Sequence, residues 1–290
     1  MDNNNEFIHE DEQASQGPEP AQSQTVSPIR GFYWLERALS EVYVPHFKQW
    51  FVAALIYTLI SSLVPAIIPP MRYVMAIVNP LLIAGLLIGA HKAYTKTESI
   101  SPLQTFKAFQ HQQIGQIILY AIIAIGLMFG IFFILTSIIG VEALQGVDFS
   151  RIQAGDEEYA RSLFKLIAPA IPWAVVLILL FSLATWFAIS LILFSGQKAF
   201  PAIGNSFVGG LKNFFAVLIL AIVAIICLLV LALIASLVLS LFGSLVTNPY
   251  INLIIDVALT SLLIPIGIGT TYIAYREIFL GDISKSENSL

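Results

Sequence analysis

The chain has 290 residues, 58% of them hydrophobic and only 11% charged, with a formal net charge of -4. A soluble domain carries about 25% charged residues, so a water-soluble globule is excluded. The acidic balance is local: residues 1–29 hold six acids and no Lys or Arg, the rest is slightly basic, and there is no basic footprint for nucleic acid.

In chain order, residues 1–29 are rich in Asn, Gln, Glu, Ser and Pro. They lack the apolar content that offsets ordering entropy, and they read as a disordered acidic tail. The first 49 residues contain no continuous apolar core, so no cleavable signal peptide is expected and the first span acts as an uncleaved insertion signal. Six apolar stretches follow, at about 50–69, 73–94, 114–140, 167–194, 214–243 and 250–275. Each reaches the roughly 20 residues that a helix needs to cross a hydrocarbon core. A helix satisfies its own backbone hydrogen bonds, which lipid cannot do. The longer stretches imply tilt or extension beyond the bilayer. Pro65, Pro80, Pro169, Pro172 and Pro265 lie in or near span ends.

The connectors set the orientation. The N-terminal segment, the two connectors after the second and fourth spans and the C-terminal tail hold ten Lys and Arg, against four on the opposite side. Both termini are therefore expected in the cytoplasm. The connector 141–166 is the one sizeable outer loop, with a short helix expected between Val147 and Phe164. Cys227 is the single cysteine, so no internal disulfide forms.

A weak threefold repeat runs through the chain. Before the first span, Phe32, Leu35, Leu39 and Val42 share one helical face, opposite Glu36, Arg37, Ser40 and Glu41, and Pro45 ends the helix. Before the third, Ser101-Pro102-Leu103-Gln104 has the form of a capping box, with Leu103, Phe106 and Phe109 as the greasy side. Before the fifth, Ile203, Phe207 and Leu211 line up on a segment from Pro201 to Phe214. The preceding junctions also correspond: Gly89-Ala90-His91-Lys92-Ala93-Tyr94 and Ser195-Gly196-Gln197-Lys198-Ala199-Phe200. Each unit thus reads as an amphipathic cytoplasmic helix, an outward span and an inward span. The three helices are placed in the headgroup plane with the apolar side down; the alternative is that they pack on the bundle as connectors.

Three segments carry a family resemblance: Gly31-x-x-Trp34-Leu35, the run Ala202-Ile203-x-x-Ser206-Phe207-x-Gly209-Gly210-x-Lys212-Asn213-Phe214, and Tyr272-x-x-Tyr275-Arg276-Glu277-Ile278-Phe279. Over about residues 31–282 the chain resembles the uncharacterised BPSS-type bacterial inner-membrane proteins. More distantly it is similar to the membrane domain attached to some glycerophosphodiester phosphodiesterases. Ala38 stands where the pattern has a Gly, and the outer loop is longer than usual. The resemblance implies a membrane fold and an inner-membrane location. It implies no activity, since these 290 residues leave no room for the soluble catalytic domain of those enzymes.

Few residues point to chemistry. Asp256 is the one acid well inside a proposed span, with Asn252 and Thr260 four residues either side on the same face. A carboxylate at membrane depth is a candidate for ion, proton or ligand binding. The structural alternative is a hydrogen bond to a neighbouring helix, for instance through Asn79. Trp186 lies mid-span, either packed inside or lining a lipid or substrate pocket. Arg276, Lys212 and Lys107 are candidates for lipid headgroups, with Arg276 and Glu277 forming a local ion pair at headgroup level. Gly85-x-x-x-Gly89 and Gly126-x-x-x-Gly130 offer small faces for helix packing inside the bundle or for a dimer contact. His9, His46, His91 and His111 have no metal-ligand spacing, so no metal and no cofactor is expected. No nucleophile motif or phosphate loop is present.

These observations lead to an all-α, polytopic membrane bundle of six transmembrane helices with three cytoplasmic amphipathic interfacial helices. The tail 1–29 precedes the membrane domain 30–282, and 283–290 form a short cytoplasmic tail. The expected function is non-enzymatic: an inner-membrane protein that organises or regulates envelope processes through membrane lipids, an envelope protein partner or a second copy of itself. The alternative is a small-molecule or lipid transporter with Asp256 in its path.

Overall fold

A computed structural model describes residues 23–141, 145–240 and 249–281. Every regular element among these residues is helical. Six helices or helical runs are long and apolar enough to cross a membrane: Arg30–Ile67, Met71–Thr95, Ile114–Ile139, Glu157–Ser195, Phe214–Leu237 and Ile251–Leu280. The shortest has 24 residues. At 1.5 Å per residue it rises about 36 Å, more than a hydrocarbon core of about 30 Å. This is the fold of a multi-pass membrane protein.

The first run is longer than expected. Helix α1 (Arg30–Arg37) passes through a widened π-helical turn (Ala38–Tyr43) and a tight turn at Val44–His46 into α2 (Phe47–Thr58). Pro45 sits in that tight turn, at a first-turn position where its missing N–H costs no intrahelical bond. A second π-helical turn (Leu59–Leu63) and α3 (Val64–Ile67) complete the run. The segment before the first span is therefore joined to it rather than set apart. Helix α4 (Met71–Thr95) is continuous through Pro80 and stops at Lys96, whose φ is +54°. A short 3-10 segment (Gln104–Gln110) leads into α5 (Ile114–Ile139).

Among its described residues the connector 141–166 forms two short helices, α6 (Phe149–Gln153) and α7 (Glu157–Ile167), where one was expected, with Gly155 (φ +76°) between them. Span four then continues as α8 (Ile171–Thr185) and α9 (Ala188–Ser195), broken at Trp186–Phe187. Helices α10 (Ala199–Lys212), α11 (Phe214–Ser240) and α12 (Pro249–Leu280) follow.

The three connecting segments pack in a cycle. The 3-10 segment lies on α4, α10 lies on α8, and α1 with its π-turn lies on α12 and α11. The second and third each cover the span before them, and the first covers the last. In all three the face turned inward carries small or hydrogen-bonding side chains, joined in the first run by Val42. Trp34 in α1 and Ala38 in the π-helical turn are buried, as are Gln104, Thr105 and Ala108 in the second segment and Ala202, Ser206, Gly209 and Gly210 in α10. The apolar faces read from the sequence are turned mostly outward or sideways: Phe32, Leu103, Phe106, Phe109 and Leu211 are exposed, Leu35, Leu39, Ile203 and Phe207 are half-buried, and Val42 is buried. Where the surroundings are as apolar as the core, helices gain nothing by turning Leu and Phe inward. Close backbone approach and hydrogen bonds decide instead.

Two glycines show how close the approach is. A Cβ on Gly31 would lie 2.0 Å from the Ala216 carbonyl oxygen, and one on Gly85 would lie 2.2 Å from that of Thr105. Thr105 Oγ1 donates to the Leu82 carbonyl at 3.1 Å, and Gln104 Nε2 to that of Gly85 at 3.2 Å. Gln104 thus bonds across to α4 instead of closing a capping box, while Ser101 Oγ accepts from the Leu103 N–H at 3.2 Å.

Residues 23–29, assigned above to the tail, are seated on the bundle. Asn213 accepts from the Val26 N–H at 2.8 Å and donates to the Gln24 carbonyl at 2.9 Å, and the Gln24 N–H donates to the Ile278 carbonyl at 2.8 Å. Residues 1–22 and 283–290 lie outside the described residues.

Candidate functional site

The end of the bundle near residue 30 contains a buried ionic cluster. Glu277, close to the end of α12, has no exposed side-chain surface. Its Oε1 accepts from Arg37 Nη1 at 2.7 Å and from Arg30 Nη2; its Oε2 accepts from Arg30 Nε at 2.8 Å and from Trp34 Nε1 at 2.7 Å. Arg30, Trp34 and Arg37 reach it because the i, i+4, i+7 spacing puts them on one face of the first helical run. Arg37 also donates to Glu41 at 2.8 Å and to the Tyr94 hydroxyl at 2.9 Å. With four donors on one carboxylate, Glu277 is a clasp between α1 and α12.

The local Arg276–Glu277 ion pair does not form; on a helix, adjacent residues point apart. Instead the Arg276 guanidinium lies 4.5 Å from the Tyr94 ring centre and donates to the Tyr272 hydroxyl at 3.2 Å. That hydroxyl is 2.7 Å from His91 Nδ1. Arg276 is half-buried among aromatic rings. Lys212 is exposed and donates to the Ser23 carbonyl at 3.1 Å, and Lys107 is exposed.

The second feature is a recess of about 420 Å³ beneath α1. Leu35 and Leu39 form its roof, Leu220, Cys227 and Leu228 of α11 one wall, and Ile266, Gly267, Thr270 and Thr271 of α12 the other. Trp186 closes it at the break in span four, donating its indole N–H to Thr271 Oγ1 at 2.9 Å. No charged side chain lines it. The break is satisfied from the opposite side: Ser206 Oγ accepts from the Phe187 N–H at 3.0 Å and donates to the Leu183 carbonyl at 2.8 Å. Nothing in the sequence signals this break at Trp186.

Further recesses lie among the described residues. One of about 790 Å³ is polar, between Glu41, His46, Tyr94, Lys96 and Glu98. One of about 520 Å³ is apolar, beside Pro80, Tyr120, Phe129 and Phe181.

Asp256 and Asn252 are exposed, and Thr260 and Asn79 are half-buried. Asn79 Oδ1 is buried with no hydrogen-bond partner among the described residues. Neither Asp256 nor Asn252 lines any of the three recesses. Gly85 and Gly89 face the 3-10 segment, and Gly89 also the Trp50 ring, where a Cβ would lie 3.2 Å away. Gly126 and Gly130 meet nothing within 4 Å of a Cβ, so they do not pack inside the bundle.

Comparison with protein-family models, with curated proteins and with solved structures finds no match.

Proposed function

We propose that this chain is a non-enzymatic protein of the bacterial inner membrane that holds the hydrocarbon part of a membrane lipid in the recess beneath α1, and through it organises or regulates envelope processes. The recess carries the reading. Irregular backbone at membrane depth is tolerated only where protein buries it or a cavity is lined by it. Here the break in span four turns Trp186 into an uncharged recess of about 420 Å³.

Other features support the same reading. The charge count favours cytoplasmic termini. The outward-turned Phe32, Leu103, Phe106, Phe109 and Leu211 suit seating at the headgroup boundary. The resemblance to BPSS-type inner-membrane proteins belongs to the same proposal. The transport alternative keeps Asp256 as its one residue, and that residue lines none of the three recesses described above.

Gly267 provides the test. It lines the recess, and an added Cβ there meets nothing within 4 Å. Gly267→Leu should therefore fill the recess without moving the helices. Native mass spectrometry in lipid discs, on protein released from its own membrane, should show a stoichiometric lipid on the wild type. The variant should bind it at least about tenfold more weakly, the overpacking cost of a filled site. Equal lipid on both proteins, or a co-purifying protein with no lipid, would overturn the reading.

A further inference from the structure

We infer that the recess selects a neutral, ester-linked acyl chain and recognises its carbonyl oxygen through the Thr271 hydroxyl. The inference rests on the lipid-holding reading and names the class of lipid.

The chemistry of the walls limits the occupant. No Asp, Glu, Lys, Arg or His lines the recess, so a charged group placed there would be desolvated and unpaired. Four lining side chains carry a polar atom or thiol: Thr270, Thr271, Trp186 and Cys227. The Thr270 hydroxyl is committed, donating to the Ile266 carbonyl at 2.8 Å. The Trp186 N–H is committed to Thr271 Oγ1. Cys227 offers only a weak thiol donor.

Thr271 is different. Its oxygen accepts from Trp186, and its own hydrogen goes to no acceptor among the described residues. Thr271 and its indole donor both line the recess. In apolar surroundings an unmade hydrogen bond is costly. The missing partner is therefore an uncharged acceptor on an otherwise apolar molecule.

Depth agrees with this choice. Thr271 lies about 9 Å of helix inward from Glu277, below the layer of buried charge. The interfacial layer of a bilayer is about 5–7 Å thick on each side, so a hydroxyl about 9 Å inward of the buried charges suits the level where ester groups give way to hydrocarbon. Leu220, Leu228 and Ile266 then line the path of the chain itself.

Two probes with the same glycerol head and the same chain separate the possibilities: monooleoylglycerol, an ester, and its oleyl ether counterpart. They are added in equal amounts to the full chain in lipid discs and counted by native mass spectrometry. The wild type should retain the ester over the ether by about 3- to 10-fold, the ratio set by one hydrogen bond. Thr271→Val, close in shape, should bring the ratio near one with both probes still bound, and Thr271→Ser should restore the preference. Cys227 gives a second readout, because the chain's only cysteine is exposed and lines the recess. The ester should slow its modification by N-ethylmaleimide more than the ether does. Equal retention of both probes by the wild type, or an ester preference that survives Thr271→Val, would overturn the inference and leave the lipid-holding reading in place. Binding of neither probe, with Gly267→Leu without effect on native lipid, would overturn the reading beneath it.

Discussion

The two ends of this bundle are built by different rules. Near residue 30, the connecting segments interlock with the spans, and Trp34, Trp50, Leu86, Phe187, Tyr272 and Tyr275 are fully buried. Towards the other end the same helices expose long apolar stretches: Phe133 is 72% exposed and Leu229 64% exposed. Both ends are apolar, so hydrophobicity does not distinguish them. What differs is the supply of small residues and hydrogen-bonding side chains. Gly31, Gly85, Thr105 and Ser206 sit where helices meet, whereas Gly126 and Gly130 face open space. In an apolar solvent, close approach and polar bonds determine where helices associate.

The largest test of that contrast is the ionic clasp. Removing the Glu277 carboxylate leaves two buried guanidinium groups without their shared partner. Glu277→Ala should cost about 3–5 kcal/mol, read as a loss of unfolding free energy in detergent micelles. Replacing the whole cluster, as Glu277→Leu with Arg30→Met and Arg37→Met, should recover most of it, because the desolvation cost disappears along with the charges. A triple variant as unstable as the single one would assign the clasp's role to packing.

The next test sets glycines at the two ends against each other. Gly31→Ala and Gly85→Ala push a methyl group into a backbone carbonyl and should each cost about 1–3 kcal/mol. Gly126→Ala meets open space and should be neutral or gain up to about 1 kcal/mol from reduced backbone entropy. Equal losses at all three sites in thermal melts would mean that the open end is closed in solution, for instance by a second copy.

Much of this fold was legible in the sequence, and the reason is physical. Span count follows from apolar length, which backbone hydrogen bonding makes obligatory. The three connecting segments were visible as amphipathic stretches, placed by the sequence in the headgroup plane with the apolar side down; what their pattern did not announce is how closely their small and polar residues pack on the spans. The cluster went unannounced as well. Arg37 was assigned to a solvated face and Glu277 to its neighbour Arg276, although Arg30, Trp34 and Arg37 already shared a helical face. Asp256 drew attention because it is an acid in a span, yet the most enclosed carboxylate described is Glu277. The break at Trp186 had no Gly or Pro to announce it. Ser206, twenty residues on in sequence, supplies the bonds that make it tolerable.

The smallest effect belongs to the connector 141–166, whose described residues are held by exposed charges instead of burial. Asp156 caps α7, accepting from the Tyr159 N–H at 3.0 Å, and pairs with Arg151 at 2.7 Å. The Tyr159 amide first, and Arg151 second, hold its carboxyl below the usual carboxylate value. A depressed folded value means that the carboxylate's contribution is complete above the ordinary pKa of about 3.9 and is lost as pH falls through the lower, folded value. The Tyr159 amide resonance should therefore titrate with a midpoint below about 3.9. Asp156→Asn should abolish that titration and leave global melting unchanged, since no side chain in α7 is buried. A midpoint at or above the ordinary value would mean that the cap is open in solution. A large drop in melting temperature would mean that this end is coupled to the packed one, and the two halves would no longer be independent.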